Sequence, residues 1–390
     1  MTRSQDVQDV LDRHVQDGSV PGAVALVARG DRVDVAVSGS VDTAGTAPMA
    51  RNTLFRIASI TKPVVAAAVM ALVDDGLLAP DDEIRRWLPE LAHPSVVRSP
   101  DGPVDDVVPA RRPVTVADLL TFRAGWGFPS DFSLPAVAPL FDELRQGSPQ
   151  PQVVAEPDAW MRALARVPLL HQPGETWLYN TCSDILGVLV ARVSGRPLPV
   201  FLAERLFGPL GMTDTGFSVE PAALGRFTSF YRRNEEGGLD LVDAPDGQWS
   251  SPPPFPSGAG GLVSTVDDWW AFGRMLLAGG TADDGTRVLS AGAVRDMTTD
   301  HLTRAQREAS GLFTEGQGWG YGGSVDVDTR APWNVPGRYG WVGGTGTAAH
   351  IVPATGTVTL LMTQVEMAGP AAPQIMRDFW TCAAGAEPQR

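Results

Sequence analysis

The sequence is short of several features, and each shortage argues against a class of protein. It has only two cysteines, Cys182 and Cys382, which are too few for a disulfide scaffold and lack metal-ligand spacing. No apolar run approaches the length of a membrane span, and residues 1–20 carry charges without the apolar segment of a signal peptide. We therefore expect a cytoplasmic protein with no membrane partner.

Basic charge is also scarce, since 45 acidic residues against 31 basic ones give a net charge of −14. Nucleic acids and anionic membranes need a basic surface, so neither is expected as a partner. The composition, 43% hydrophobic and 19% charged over 390 residues, is typical of a globular chain with a substantial core. One large domain or two closely packed ones would satisfy it.

Several common catalytic motifs are missing. The five histidines are scattered without H-E-x-x-H spacing, which argues against a metal hydrolase. The chain has no G-x-S-x-G nucleophile elbow, no Walker A sequence and no G-x-G-x-x-G that opens a helix after a strand. A serine activated without histidine remains, and no cofactor or metal is expected for it.

The chain has a single lysine, Lys62, and every other basic residue is an arginine. Arginine stays protonated, whereas burial can make a lysine give up its proton and act as a base. Ser59 precedes Lys62 by three residues at the start of a predicted helix, and this is the only S-x-x-K in the chain. Residues i and i+3 share a helix face, so the hydroxyl and the amine can meet. The alternative is a plain helix cap beside a solvated charge.

The hydrophobic pattern predicts an α+β fold. A helix around residues 7–15, a buried strand at 23–28 and an alternating strand at 33–37 precede the Ser59 helix. Strand-like runs return at 319–327, 338–342, 347–352 and 358–364, and a closing helix is predicted at 372–383. We expect the strands from both chain ends to share one antiparallel sheet flanked by helices.

Residues 79–257 have a different sequence pattern from the two ends of the chain. Helical patterns are separated there by long, proline-rich polar connections at 87–112, 127–152 and 235–257. Connections of this length are unusual unless they build a binding site or a lid. The predicted organisation is an α/β domain of residues 1–78 and 258–390 with the central sheet, and a mostly helical insertion domain of residues 79–257. The active site is predicted at their interface.

Two further segments could contribute to a serine site. A Pro-Gly turn at 173–174 leads to Tyr179, which could relay a proton to or from Ser59 if the Lys62 cation lowers its pKa from about 10. Otherwise it is a half-buried tyrosine at a helix start. Glycines at 340–346 mark a place of close approach, where an edge strand could lend a backbone N–H to an oxyanion hole. A simple bulge is the structural alternative.

Taken in order, three motifs resemble those of the penicillin-recognising serine hydrolases: S-I-T-K at 59–62, Y-N-T at 179–181 and W-V-G-G at 341–344. The likeness is greatest to class C β-lactamases, D-alanyl-D-alanine carboxypeptidases and family VIII carboxylesterases, and it covers almost the whole chain. It implies a β-lactamase/transpeptidase-like fold with Ser59 as the acylated nucleophile. It also implies that Lys62 and Tyr179 transfer protons, and that the backbone N–H groups of Ser59 and Gly344 form the oxyanion hole.

Two departures from that family bear on the substrate. Thr181 stands where the second motif usually has asparagine, and Trp341-Val342-Gly343 replaces the usual Lys-Thr-Gly or His-Thr-Gly. In the family, that cation and threonine help to hold the carboxylate of β-lactams and D-alanine peptides. Trp341 and Val342 offer neither group, so an uncharged ester fits better, and family VIII esterases carry a tryptophan at this place. Arg338 lies close in sequence and could restore a cation.

Substrate contacts are predicted for the residues of the altered motifs and for tryptophans beside motifs or in loops. The set is Trp341, Val342, Gly343, Thr181, Trp126, Trp177 and Trp249. The alternative for each tryptophan is an ordinary core position.

The predicted function is a serine carboxylic ester hydrolase that acts through an acyl-enzyme on a small neutral ester. Three alternatives fit the same scaffold: a β-lactamase or D-amino peptidase, an acyltransferase that passes the acyl group to an alcohol or amine, and a non-catalytic binding protein.

Overall fold

Strands from both ends of the chain meet in one antiparallel sheet. The computed structural model describes residues 4–147 and 150–385. Its strands are β1 Gly22–Arg29, β2 Arg32–Gly39, β3 Phe55–Arg56, β4 Ser95–Val97, β5 Val107–Pro109, β6 Phe230–Arg233, β7 Leu239–Asp243, β8 Val263–Ser264, β9 Gly318–Trp319, β10 Ser324–Val325, β11 Tyr339–Gly343, β12 Thr347–Val352 and β13 Thr357–Thr363. Seven of them form the central sheet in the order β2-β1-β13-β12-β11-β10-β9, and β3-β8, β4-β5 and β6-β7 form separate pairs. The predicted α+β fold is confirmed.

Helices cover the sheet and dominate the middle of the chain. They are α1 Ser4–Gln16, α2 Lys62–Asp74, α3 Val116–Leu120, α4 Ala138–Asp142, α5 Pro157–Leu164, α6 Thr181–Ser194, α7 Leu198–Leu202, α8 Gly208–Leu210, α9 Val266–Leu277, α10 Ala291–Met297, α11 Arg304–Ala309, α12 Gly311–Thr314 and α13 Gln374–Ala383, with a π-helical turn at Ala203–Phe207. Short 3₁₀ turns lie at Ala58–Thr61, Ile84–Arg86, Pro89–Leu91, Pro135–Val137, Pro151–Val153, Pro221–Arg226 and Pro353–Thr355. Within the described ranges no single helix has the length and apolarity to cross a membrane; α6 and the helical run 198–210 reach them only as a pair bent by 79°.

The central sheet is buried on both faces. Successive side chains of a strand point to opposite faces, so Val24 and Leu26 of β1 join the core that contains α2 and α9. Ala23 and Ala25 join the second core, which contains α1 and α13. This double burial explains why β1, β12 and β13 are buried at almost every position rather than at alternate ones.

Helix α2 lies at the centre of the molecule and carries the S-x-x-K motif at its start. Its residues from Lys62 to Leu72 are all buried, and it packs against α6 and α10. Pro63 falls in the first turn, where its missing N–H leaves no helical hydrogen bond unmade. A helix buried on every side gives its N-terminus a fixed position.

Two strand predictions need correction. The run at 319–327 is not one strand, because a glycine turn splits it into β9 and β10, which pair with each other. Gly322 in that turn has φ +74°, and a Cβ there would lie 2.6 Å from the Lys62 carbonyl oxygen. The expected edge strand at 339–343 lies inside the sheet. Since β10 pairs only with Tyr339 and Gly340, the remainder of β11 faces the turn that carries Ser59.

The middle segment contains α3 to α8, together with two strand pairs, β4-β5 and β6-β7, that the sequence did not predict. Helices outnumber strands in this segment. The mostly helical insertion domain itself stays a prediction. The division of the chain into two domains stays a prediction.

Candidate active site

Ser59 lies on a strained turn between a short strand and α2. β3 ends at Arg56, and the 3₁₀ turn Ala58–Thr61 leads directly into the helix. Ala58 has φ +43°, a left-handed value that costs a residue with a side chain roughly 1–3 kcal/mol. The backbone donors at the start of such a turn have no helical partners. The N–H of Ser59 is therefore available to a ligand.

Buried contacts around Arg56 hold this turn against the glycine-rich segment. The guanidinium lies 4.0 Å from the ring centroid of Phe227 and donates from Nε to Asp243 Oδ2 at 3.0 Å. On the other side, Thr345 Oγ1 donates to the Arg56 carbonyl at 2.5 Å, and Thr347 Oγ1 donates to the Ile57 carbonyl at 2.9 Å. These two threonine bonds fix the segment between β11 and β12 opposite Ser59.

The amine of Lys62 is fully enclosed by three oxygen atoms. Its Nζ lies 2.8 Å from Ser59 Oγ, 2.9 Å from Asn180 Oδ1 and 2.6 Å from the Ala259 carbonyl oxygen. Because the amide and carbonyl oxygens can only accept, two amine hydrogens are committed to them. The third position points at Ser59 and holds a hydrogen in the ammonium form and a lone pair in the amine form. The neutral amine is therefore aimed at the serine proton.

Burial favours that neutral form, because it lowers the pKa of Lys62 from 10.5 to about 7. The carboxylate of Asp184 acts in the opposite direction and raises the pKa of Lys62. Asp184 is itself buried one turn into α6, and it accepts from Ser257 Oγ at 2.7 Å and from the Ala259 N–H at 3.0 Å. The Ala259 peptide thus connects the carboxylate to the amine.

Tyr179 lies beside both Ser59 and Lys62, whose Nζ is 4.7 Å from the tyrosine ring centroid. Trp341 Nε1 donates to the Tyr179 hydroxyl oxygen at 2.7 Å, and the Ser59 hydroxyl lies close enough to the phenol to lower its pKa. An indole nitrogen only donates, so the tyrosine hydrogen can point to Ser59 Oγ. Burial raises the pKa of Tyr179 to about 12, although the bonds to Ser59 and Trp341 lower it. The expectation that Lys62 lowers this pKa below 10 is therefore wrong, and the phenol is protonated near neutral pH.

Gly344 faces the start of α2 with a free backbone donor. It follows the last residue of β11, and its N–H donates to no backbone carbonyl in the described part of the chain. Its own carbonyl accepts from the Met367 N–H at 2.8 Å, which orients the peptide. Both Ser59 and Gly344 line the same cavity. Their N–H groups can converge on a carbonyl oxygen placed between them.

The cavity above Ser59 has a volume of about 380 Å³ and is mostly apolar. Of the residues predicted to bind substrate, the cavity is lined by Trp341, Val342 and Trp249. Aromatic rings supply much of the remaining wall, from Phe128, Phe132, Phe141, Trp160, Phe255 and Phe313. The site is suited to an apolar ligand of drug-like size.

Four predicted contact residues do not line the cavity. Thr181 is buried in the first turn of α6, and its Oγ1 donates to Gln146 Oε1 at 2.7 Å. Trp126 donates from Nε1 to the Val167 carbonyl in the core, and Trp177 lies behind the wall with its ring 5.8 Å from that of Tyr179.

Gly343 faces the Ile57 carbonyl instead, since a Cβ there would lie 2.5 Å from that oxygen. The predicted substrate contacts of Thr181, Trp126, Trp177 and Gly343 are corrected accordingly.

Arg338 does not restore a cation to the site. Its guanidinium is buried away from the cavity, 3.7 Å from Asp326 Oδ2 and 5.2 Å from the ring centroid of Trp380. Burial lowers its pKa to about 10, and Asp326 raises it. The expectation that it could replace the missing cation is wrong.

Sequence reasoning missed Asn180, Asp184 and Ala259. Asn180 follows Tyr179, and its φ of +83° turns its side chain toward Lys62. The sequence predicted a site contact for Thr181, which is one residue after the asparagine that makes the contact. A carboxylate within the apolar stretch 182–190 was the available signal for Asp184, because a buried charge requires partners. Ala259 acts through its backbone and left no signal.

Known proteins are similar to this chain over most of its length. The model of the Beta-lactamase family matches residues 7–376. An uncharacterised protein of Mycobacterium tuberculosis is 41% identical over 89% of this chain and 86% of its own length. The esterase EstB of Burkholderia gladioli is 32% identical over 93% of this chain and 91% of its own length.

Solved structures share the fold at lower identity. EstCE1, described as a hydrolase with promiscuous acyltransferase activity, superposes with a TM-score of 0.82 at 24% identity and covers 98% of both chains. Simvastatin synthase from Aspergillus terreus superposes with a TM-score of 0.78 at 23% identity and covers 97% of both chains.

Proposed function

Since this chain belongs to the Beta-lactamase family and is a hydrolase of the penicillin-recognising serine type, we propose that it is a carboxylesterase that cleaves small neutral esters through an acyl-enzyme on Ser59. The observation that carries the proposal is the hydrogen bond between Lys62 and Ser59, with Tyr179 beside both residues and an apolar cavity in front of them. The similarity to the esterase EstB supports the ester substrate. A cytoplasmic location stays a prediction.

In the acylation step, the Lys62 amine takes the Ser59 proton while Ser59 Oγ bonds to the ester carbonyl carbon. Asn180 and Ala259 continue to accept the other two amine hydrogens, so the lone pair stays directed at the Ser59 hydroxyl. The carbonyl oxygen becomes an oxyanion, which the N–H groups of Ser59 and Gly344 stabilise. A pKa of about 7 suits this base, because it is largely unprotonated just above neutral pH and still basic enough to act.

Collapse of the tetrahedral intermediate breaks the bond to the alcohol oxygen, which needs a proton. Tyr179 lines the cavity and carries that proton, whereas Lys62 is enclosed by its three oxygen partners. Tyr179 therefore protonates the leaving alcohol, and the Lys62 ammonium, 4.7 Å from the tyrosine ring centroid, restores the phenol. Water then attacks the acyl-enzyme by the reverse route and releases the acid.

The cavity chemistry favours a neutral ester over a β-lactam or D-alanine peptide. Trp341 and Val342 line the wall where the family usually has a cation and a hydroxyl. The only cationic side chain among the described lining residues is Arg145, which is exposed. A carboxylate placed against Trp341 would lose its hydration without a charged partner, at a cost of several kcal/mol.

The test is hydrolysis of an ester series by the wild type and by Ser59→Ala, alongside a chromogenic cephalosporin. The wild type is expected to hydrolyse short neutral esters faster than the cephalosporin, and Ser59→Ala to lose roughly 10⁴-fold or more in kcat. A fluorophosphonate probe should label Ser59, and Ser257→Ala, which removes another hydroxyl of the cavity wall, should still be labelled.

Three results would replace the proposal. Ester hydrolysis that survives in Ser59→Ala would remove the serine mechanism. A cephalosporin rate equal to the ester rates would assign a β-lactamase, and transfer to added alcohols in preference to water would assign an acyltransferase.

A further inference from the structure

An aromatic cluster covers the tyrosine side of the cavity mouth. We define the mouth cluster as Phe128, Phe132, Phe141 and Phe313, all of which line the cavity. We propose that the mouth cluster binds the alcohol part of the substrate, so that the enzyme prefers esters whose leaving alcohol carries an aromatic ring. This inference rests on the proposed esterase function and adds the substrate class and the orientation of the bound ester.

The position of the acid decides which half of the ester meets the mouth cluster. Ser59 Oγ attacks the carbonyl carbon, and the alcohol oxygen must lie within hydrogen-bonding distance of the group that protonates it. Among the proton-carrying side chains bonded to Ser59, Tyr179 lines the cavity and Lys62 does not. The leaving alcohol therefore lies on the Tyr179 side of Ser59.

Phe313 forms the wall on that side. Its ring stacks on Tyr179 with centroids 4.7 Å apart and an interplanar angle of 29°. Trp341 lies on the same tyrosine, 5.7 Å away at 49°. An alcohol group leaving toward Tyr179 Oη thus enters a space bordered by ring faces, where a second aromatic ring gains offset or edge-to-face contacts.

The rest of the mouth cluster continues this surface outward. Phe132 lies 6.0 Å from Phe313 and 5.5 Å from Phe128, which in turn stacks on Phe141 at 4.9 Å. Phe132 is 41% exposed, which is unusual for a large apolar side chain in contact with three other rings. Ring surface left open at a cavity mouth gains free energy when an apolar group covers it.

The mouth cluster joins two separate segments of the chain. Phe128, Phe132 and Phe141 belong to the segment after α3, and Phe313 belongs to α12. Ser130 Oγ donates to the Ala309 carbonyl at 2.8 Å, and Gln306 Nε2 donates to the Gly174 carbonyl at 2.8 Å. The first bond holds α11 against the segment after α3, and the second holds it against the Pro-Gly turn that precedes Tyr179. The aromatic wall therefore has a defined position before substrate binds.

A second aromatic pair lines the cavity apart from the mouth cluster. Trp160 and Phe255 line the cavity with ring centroids 5.0 Å apart, and neither makes a ring contact with the mouth cluster among the described residues. Two separate aromatic regions in one cavity allow an ester to place its acyl part and its alcohol part separately.

The experiment compares benzyl acetate with methyl acetate, which share an acyl group and have alcohols of closely similar acidity. The wild type is expected to show at least about tenfold higher kcat/KM for the benzyl ester. Phe313→Ala should lose more kcat/KM on the benzyl ester than on methyl acetate, and should thereby remove most of that ratio. Cyclohexylmethyl acetate separates the contribution of the ring faces from that of bulk alone.

Leu312→Ala is the matched control, since Leu312 is the neighbour of Phe313 on α12, is 41% exposed and does not line the cavity. It should keep the benzyl-to-methyl ratio of the wild type. Phe132→Ala provides a second, exposed position whose substitution carries little folding risk, and it should lower the ratio in the same direction.

Equal losses on both esters in Phe313→Ala would overturn the proposal, because they would mean that Phe313 acts only through Tyr179. A wild-type ratio near one would also overturn it, and both results leave the esterase function intact. If the wild type hydrolyses neither ester nor any other in the series, the proposed function itself fails.

Discussion

Replacing Asp184 by asparagine should move the pH dependence of the enzyme to lower pH. The carboxylate raises the pKa of Lys62, against the much larger effect of burial, which lowers it from 10.5 to about 7. Removing the negative charge therefore lowers the pKa of Lys62 further and leaves more free amine at acidic pH. Burial raises the pKa of Asp184, and the hydrogen bonds from Ser257 and Ala259 and the Lys62 charge oppose that rise. The sign follows from the ionised carboxylate, because an anion near an ammonium group favours the protonated form.

The expected size follows from the titration of a single base. An opposite charge close to a buried group shifts its pKa by about one unit or more. With a pKa of about 7, roughly 9% of Lys62 is free amine at pH 6, and with a pKa one unit lower about half is free. The kcat/KM at pH 6, relative to its own plateau, should thus rise about fivefold in Asp184→Asn.

The substitution is suited to the buried network. Ser257 and Ala259 both donate to Oδ1 of Asp184, which an asparagine oxygen can replace. The second oxygen accepts only from Gln146 Nε2 at 3.3 Å, and rotation of that amide can accommodate an NH₂ group. The isosteric change therefore keeps the position of the Ala259 peptide, which orients the Lys62 amine.

The assay is kcat/KM for a neutral ester between pH 5 and pH 9, with thermal unfolding of each variant measured in parallel. Asp268→Asn is the control, because burial also raises the pKa of Asp268 but its carboxylate accepts from Thr215 Oγ1 and from the Asp214 N–H. It should leave the acidic midpoint unchanged. A midpoint in folded Asp184→Asn that stays in place or rises would refute Lys62 as the titrating base. The measured midpoint belongs to the Lys62–Asp184 pair as a whole.

Three other substitutions test separate parts of the site. Trp341→Phe removes the N–H that donates to the catalytic tyrosine, and kcat/KM should fall about tenfold with little change in stability; an unchanged rate would show that this bond is dispensable. Asn180→Ala removes an acceptor of the catalytic amine and should lower kcat about 10- to 100-fold, whereas Thr181→Val should change it by less than about threefold; the reverse order would restore the sequence-based assignment. Asp243→Ala leaves the buried Arg56 charge unpaired and should cost about 3–5 kcal/mol in urea unfolding; a loss below about 1 kcal/mol would mean that water or another acceptor compensates.

The sequence predicted the elements whose signals are local. The S-x-x-K spacing placed Ser59 and Lys62 together because two residues one helical turn apart have a fixed relation. Runs of neighbouring apolar residues predicted β1, β12 and β13, because such a run is also a local signal. Local signals also predicted Tyr179 at the start of a helix, and α6 begins two residues after it.

What the sequence could not supply depends on distant segments. The pKa of Tyr179 rises because aromatic neighbours from several elements bury it, and no single segment carries that information. Trp126 and Trp177 were predicted to border the site because they lie near motifs in the sequence. Nearness in sequence does not reveal which way a ring points. The sequence could not predict the contact of the Ala259 carbonyl with Lys62, because every residue has a backbone carbonyl.

The enclosure of Lys62 also gives this protein an unusual response to amine-reactive reagents. The chain has one lysine, and that side chain is 0% exposed in the folded state. Acylating reagents such as activated esters can reach its side-chain amine only when the core around α2 opens. The rate at which Lys62 is modified therefore reports how often the active site unfolds locally. Mass spectrometry can follow that rate without any introduced label.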